Sequence, residues 1–252
     1  MYTKMTNSIL LSLSLPSTNK DILNEEIDEM KQLALTLGYK IQSSLVQNRQ
    51  SIDSSTYFGK GKINTVINQC NELKYKTLFI NDELEPGHFK RIQKIAGECL
   101  TIIDRTKLIL DIFNSHAKSL EAKKQIELAA IEYMMPRLVG QWTHLERQMG
   151  GIGARGGPGE KQIEIDRRLL RKDINKLKKD LKNIEKQRST QRKSRKGIFK
   201  VALAGYTNAG KSSLLKALTG YEAYIKDQLF ATLDTTTKKI RLDNNMEILI
   251  SD

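Results

Sequence analysis

A chain of 252 residues that is 39% apolar and 28% charged can bury one or more cores, which excludes the disordered class. No apolar run reaches the roughly 18–20 residues of a membrane span, and the only cysteines, Cys70 and Cys99, lack the C-x-x-C spacing of a zinc or redox site and speak for reduced cytosolic thiols. The net charge is +13, and residues 161–200, with 16 Lys and Arg against 5 Asp and Glu, hold nearly all of it, which points to a polyanionic partner, nucleic acid or an acidic membrane surface.

Residues 9–15 are apolar but short and interrupted by serines, so they read as a strand and not as a signal peptide. Ile22, Leu23, Ile27, Met30 and Leu33 then recur at helical spacing, with Gly38 as the stop. Residues 40–46 are strand-like, 61–73 helical, and 77–80 a short buried strand. Pro86 sits at a favoured first helical position, ahead of Phe89, Ile92, Ile95 and Ala96. Residues 99–103 close the series as a strand. Strands alternating with helices predict a small α/β domain with a largely parallel sheet over residues 1–114.

Residues 115–196 change character. One long helix is expected over 115–148, bent near Pro136. Six glycines and Pro158 then fall within residues 150–159 and break regular structure. A second helix is expected over 161–194, with Ile163, Leu170, Ile174, Leu177, Leu181 and Ile184 as a heptad seam that Arg167 and Arg188 share. The two helices predict a long antiparallel hairpin with a glycine-rich tip loop at 150–160. A glycine-rich tip with Arg147, Arg155 and Lys161 can approach a nucleic-acid backbone closely.

From residue 197 the pattern is strand (198–204), turn, helix (211–218, with Leu214, Leu215 and Leu218 on one face), then strands at 239–242 and 246–250. The turn reads Gly205, Tyr206, Thr207, Asn208, Ala209, Gly210, Lys211 and Ser212, which fits G-x-x-x-x-G-K-[ST]. Glycines let the loop wrap phosphate oxygens with its N–H groups inward, and the helix that follows presents an anion-binding N-terminus that includes Ser213. Lys211 is expected on the β- and γ-phosphates, and Ser212 on Mg²⁺ through its hydroxyl. Downstream, Phe230, Ala231, Thr232, Leu233 and Asp234 form a candidate nucleotide-sensing segment, with Thr232 completing the Mg²⁺ shell. Asp252 follows an apolar strand, as an aspartate acting on the metal directly or through water should. The expected fold class is therefore α/β, with a parallel α/β domain, a helical hairpin and the truncated start of a P-loop NTPase domain at 197–252. The residues do not distinguish guanine from adenine: Asn19, Lys20 and Asp21 lack the spacing of an N-K-x-D element and precede the phosphate loop.

These motifs resemble the HflX family of ribosome-associating GTPases. The most specific string is Trp-Thr-His-Leu-Glu-Arg-Gln at 142–148, followed by the glycine loop, Gly-Pro-Gly-Glu at 157–160, Gln-Ile-Glu at 162–164 and Asp-Arg-Arg at 166–168. Tyr-Phe-Gly-Lys-Gly-Lys at 57–62, Asn-Asp-Glu-Leu-Glu-Pro at 81–86 and Asp-Arg-Thr at 104–106 resemble the family's N-terminal domain. Paired Gly156 and Gly157 are one glycine more than many members carry. The resemblance implies a GTP/GDP switch that hydrolyses GTP, and in some members ATP, with Mg²⁺ held by Ser212 and Thr232; the chain is expected to be a cytoplasmic monomer, with peripheral membrane placement as the alternative. It implies docking on the large ribosomal subunit and its rRNA through the glycine loop and the basic hairpin, with Arg147, Gly151, Arg155, Lys161, Arg167 and Arg168 as the RNA-contacting set, in order to split or rescue ribosomes.

Two readings from other classes stand beside it. The chain as given would act as a non-catalytic rRNA-binding module if its nucleotide unit is poorly active alone. The basic helix would lie on a membrane surface, although its narrow seam without aromatic anchors argues against that. Trp142, His144 and Glu146 are read as packing or RNA-contacting groups, and the Gly59, Lys60, Gly61, Lys62 run lacks the span of a phosphate loop.

Overall fold

The computed structural model describes residues 5–138, 158–193, 197–207, 209–220, 229–230, 233, 235–241 and 246–252, with side chains left aside at 138, 158–166 and 191–193. The elements are β1 (Thr6–Ser14), α1 (Lys20–Thr36), β2 (Tyr39–Asn48), α2 (Lys60–Glu72), β3 (Thr77–Ile80), α3 (Pro86–Ala96), β4 (Thr101–Asp104), α4 (Arg105–His116), α5 (Leu120–Leu138), α6 (Pro158–Lys193), β5 (Phe199–Ala202), α7 (Lys211–Thr219), β6 (Thr237–Arg241) and β7 (Glu247–Ser251). They fall into two compact units, one formed by residues 1–111 and 129–174, the other by 112–128 and 175–252.

In the first unit four strands make one sheet in the order β2-β1-β3-β4, and every pairing is parallel. Parallel strands need a crossover between them, so each strand is separated from the next by a helix. A parallel sheet has no solvent face to spare, and both parities of β1 and β3 are buried: Ile9, Leu11, Leu78 and Ile80 on one side, Leu10 and Phe79 on the other. The first set joins Phe58, Ile63, Val66, Ile67 and Cys70, with Ile92 and Ala96 of α3, in one core cluster. Helix α1 buries Leu23, Ile27, Met30 and Leu33 at the spacing read from sequence, whereas Ile22 is exposed. Its start is fixed by Asn19, whose side chain accepts from the Asp21 N–H at 2.8 Å. Its end is followed by Gly38 at φ +81°, a left-handed position that glycine takes without steric cost.

The structure departs from the sequence reading at several places. A helix, α4, occupies 105–116, where none was expected. Asp104 starts it by accepting from the Lys107 N–H at 2.8 Å, and Leu108 and Ile112, four residues apart, are fully buried. The long helix expected from 115 instead begins at Leu120, because Ser119 caps a new start, its hydroxyl accepting from the Ala122 N–H at 3.1 Å. Pro136 lies inside α5. The second long helix begins at Pro158, three residues early, because proline at the first helical position costs no hydrogen bond. Residues 158–160 of the expected tip loop are thus helical. Finally, β4 starts at Thr101, after Gly97 at φ +73° and the exposed Cys99.

The Asp104 carboxylate is the polar hub of this unit. It is fully buried, accepts from the Tyr133 hydroxyl at 2.8 Å and the Leu84 N–H at 3.2 Å, and lies 3.5 Å from Arg137, itself 5% exposed. Arg137 also donates to the carbonyls of Tyr133 at 2.7 Å and Leu84 at 2.5 Å, and its guanidinium lies over the Tyr133 ring at 3.5 Å. Burial and the neighbouring Asp104 charge push the Tyr133 hydroxyl well above the ordinary phenol range.

In the second unit the first turns of α5 meet the second half of α6. Lys124 pairs with Asp180 at 2.7 Å and Glu121 with Arg188 at 2.7 Å, so the partners run in opposite order along the two helices, as an antiparallel hairpin requires. Arg188, expected on the apolar seam, reaches across to α5 through this ion pair and is exposed. Leu177 is buried while Leu181 and Ile184 are half-buried. Three strands form a sheet in the order β5-β7-β6, with β5 parallel and β6 antiparallel to β7.

Candidate functional site

Strands β5 and β7 pair in parallel up to Ala202 and Ser251, so both deliver their following residues to one edge of the sheet. The ladder extends one bond further, the Leu203 N–H donating to the Ser251 carbonyl at 2.8 Å. This places the loop after β5 beside Asp252 after β7, at the carboxyl ends of parallel strands, where open α/β sheets bind their ligands. Asp252 is anchored from the other side by its own N–H, which donates to the Thr236 carbonyl at 3.1 Å.

The loop turns into α7 at Gly210, whose φ of +82° is the left-handed conformation that disfavours any side chain. The turn is carried by that residue. At Gly205 an added Cβ would meet Lys211 and Ala209 side-chain carbons at 3.7–3.9 Å, ordinary contact, so the chain itself leaves room there. Among the described residues no side chain caps the start of α7. The amides of Lys211, Ser212 and Ser213 therefore keep the anion-binding character of a helix N-terminus. Leu215 pins the helix to Ile248 and Ile250 of β7, whereas Leu214 and Leu218, expected on the same face, are each 49% exposed.

Inside the loop, Lys211 Nζ donates to the Tyr206 carbonyl at 2.7 Å, so the ammonium closes over the loop it follows. Ser212 donates its hydroxyl proton to the Asp252 carboxylate. The Thr207 hydroxyl is buried and has no hydrogen-bond partner among the described residues. Tyr206 is 71% exposed. A left-handed glycine, an uncapped helix start, an ammonium, a serine hydroxyl and a carboxylate thus converge within 205–212 and 252. This donor set fits a polyphosphate with a divalent cation: the amides and the ammonium suit anionic oxygens, and the two oxygen side chains suit a hard cation.

Of the downstream segment, Phe230 and Leu233 are described and half-buried. Phe230 has φ +57°, its carbonyl lies 2.8 Å from His116 Nδ1, and its ring meets that of Phe113. Asn208, Ala231, Thr232 and Asp234 lie outside the described residues, as do Trp142, His144, Glu146, Arg147, Gly151 and Arg155. Lys161 lies on α6 with its side chain outside the described set. Arg167 and Arg168 are exposed on α6. Sequence reasoning missed Phe113 and His116 beside Phe230. No local signal marks them, because the contact joins residues 114 positions apart. It also missed Tyr133 and Arg137, although the Asp-Arg-Thr string at 104–106 marked their partner.

Among known proteins, three family descriptions match in succession: a GTP-binding GTPase N-terminal region over residues 24–114, a GTP-binding GTPase middle region over 116–195, and a 50S ribosome-binding GTPase over 200–252. A protein named GTPase HflX from Magnetococcus marinus is 42% identical over 247 residues, covering 97% of this chain and 57% of its own. Its namesake from Flavobacterium psychrophilum is 42% identical over 97% of this chain and 58% of its own, and that of Escherichia coli is 39% identical over 90% and 53%. The chain thus spans about half the length of the curated relatives it matches. Among solved structures, a complex of SsGBP with GDP aligns over 98% of this chain and 61% of its own, with a TM-score of 0.56 and 26% identity. A GTP-binding protein of the archaeon Sulfolobus solfataricus in complex with GDP aligns over 98% and 60%, with a TM-score of 0.51 and 25% identity.

Proposed function

The chain belongs to the HflX family of GTPases, and from that premise we propose that it serves a cytoplasmic, monomeric switch protein that binds and hydrolyses GTP and docks on the large ribosomal subunit to split or rescue ribosomes. The observation that carries the reading is the meeting of the 205–212 loop, the uncapped start of α7 and Asp252 at one sheet edge. In this reading the amides of Lys211, Ser212 and Ser213 and the Lys211 ammonium hold the phosphates. For that, the ammonium exchanges the Tyr206 carbonyl for phosphate oxygen, a stronger charge-assisted bond. Magnesium, when bound, supplies charge neutralisation between phosphate oxygens. Ser212 and Thr232 would hold it, Ser212 through the hydroxyl oxygen whose proton goes to Asp252. The segment from Phe230 to Asp234 reports the γ-phosphate.

The same reading divides the chain at 1–114, 115–196 and 197–252 and gives rRNA to the hairpin, through its tip loop at 150–160 and the residues Arg147, Gly151, Arg155, Lys161, Arg167 and Arg168. Its support is the run of exposed basic side chains at Arg167, Arg168, Arg171 and Lys172 on α6. That run also favours the second reading, an rRNA-binding module without turnover, whose affinity would fall steeply with salt whatever nucleotide is present. GTP is assigned over ATP from the relatives' names, and competition between the two measures the preference.

Lys211→Ala in the whole protein tests the switch. It should weaken triphosphate binding by more than about tenfold, the loss expected of one charge-assisted contact, and abolish the nucleotide dependence of co-sedimentation with large subunits. Co-sedimentation indifferent to nucleotide in the unaltered protein leaves only the RNA module.

A further inference from the structure

Helix α4 ends in two side chains that grip the nucleotide-sensing segment. The rings of Phe113 and Phe230 meet edge to face, with centroids 5.0 Å apart and planes at 82°. His116 Nδ1 lies 2.8 Å from the Phe230 carbonyl oxygen. A carbonyl only accepts, so this ring nitrogen carries the proton and donates. Phe230 itself has φ +57°, a left-handed conformation that a bulky residue keeps only where its surroundings hold it there. Ring, carbonyl and backbone of one residue are thus fixed together, two positions before Thr232 in sequence. The helix that holds it is separated by three residues from α5, the first arm of the hairpin.

We propose that Phe113 and His116 are positioning residues that clasp Phe230 in the arrangement with lower triphosphate affinity, so that a nucleoside triphosphate binds at the cost of releasing Phe230 from α4. The proposal rests on residues 205–212 being a nucleotide site. Its direction comes from the strained backbone: leaving the clasp returns Phe230 to an ordinary conformation, which offsets part of the lost hydrogen bond and ring contact. A diphosphate gives the segment nothing to reach for, and leaves the clasp closed. The hydrogen bond and ring contact therefore set how strongly the site prefers diphosphate over triphosphate.

The test uses the whole protein with Mg²⁺ and compares dissociation constants for GDP and a non-hydrolysable GTP analogue. His116→Ala should shift the preference toward the triphosphate by about two- to tenfold, the span of one net hydrogen bond. His116→Asn, whose side-chain N–H can reach the same carbonyl, should restore the original preference, which a merely structural histidine would not require. Phe113→Leu keeps an apolar side chain, removes the ring edge and should shift the preference the same way by a smaller factor. An unchanged preference in folded His116→Ala and Phe113→Leu, or a shift toward diphosphate, overturns the clasp while leaving the nucleotide site intact. Failure of the unaltered protein to bind either nucleotide overturns both.

Discussion

Ser212 donates its hydroxyl proton to Asp252, which lies 40 residues later and on the neighbouring strand end. The bond fixes the serine rotamer and gives the carboxylate a place beside any cation the hydroxyl ligates, without requiring it to be a ligand itself. Asp252→Asn keeps the shape and removes the charge. It should weaken the Mg²⁺-dependent part of triphosphate binding by about 10- to 100-fold, the range for an outer partner of a metal ligand, while binding in EDTA changes little. Titration of a fluorescent GTP analogue at varied Mg²⁺ reads both. Equal magnesium dependence in the two proteins would show that Asp252 has no part in holding the cation.

The fully buried Asp104 and the nearly buried Arg137 form an ion pair inside the first unit. Asp104→Ala removes the acceptor of the Leu84 and Lys107 amides and of the Tyr133 hydroxyl, and leaves a buried guanidinium without its counterion. Breaking such a pair from one side costs about 3–5 kcal/mol. Urea unfolding should show that loss. Adding Arg137→Met should return part of it, because the stranded charge is gone. A double variant as unstable as the sum of the two single ones would mean that the pair does not act as a unit.

How much of this was legible beforehand depended on the range of the interaction. The parallel sheet of the first unit, its helices and the phosphate loop were readable because each is written in a local pattern: apolar runs at strand length, helical spacing in α1 to α3, and glycines and a lysine at fixed offsets. Helix α4 was missed because Arg105 to Lys107 are polar and the strand before it runs directly into the helix. The cue was Asp104, a helix-starting residue. The break at Ser119 was missed for a related reason, since periodicity looks continuous across a capped junction. The contacts of Phe230 with Phe113 and His116, and of Asp104 with Tyr133 and Arg137, join distant segments and leave no trace in spacing. Even at the phosphate loop the sequence argued for glycine at both ends, whereas the backbone requires it at Gly210 and leaves ordinary room at Gly205.

The two thiols should behave oppositely toward alkylation. Cys99 is exposed, whereas Cys70 is fully buried in the cluster that α2 packs on the sheet, and burial pushes its thiol from 9.0 up to about 11. The thiolate is the reactive form, so a two-unit rise lowers the reactive fraction at pH 8 by roughly a hundredfold before steric protection is counted. Native protein should therefore show one fast thiol, lost in Cys99→Ser, and the second only on unfolding. The same shift has a consequence for stability. Below pH 9 the thiol is protonated folded or unfolded and favours neither state. Above it the unfolded chain releases the proton while the folded one retains it, so stability falls as pH rises from 9 toward 11. Urea titrations across that window should show a decline that Cys70→Ala lacks, once the constant cost of the smaller side chain is set aside. Parallel slopes in the two proteins would show that the buried thiol titrates normally.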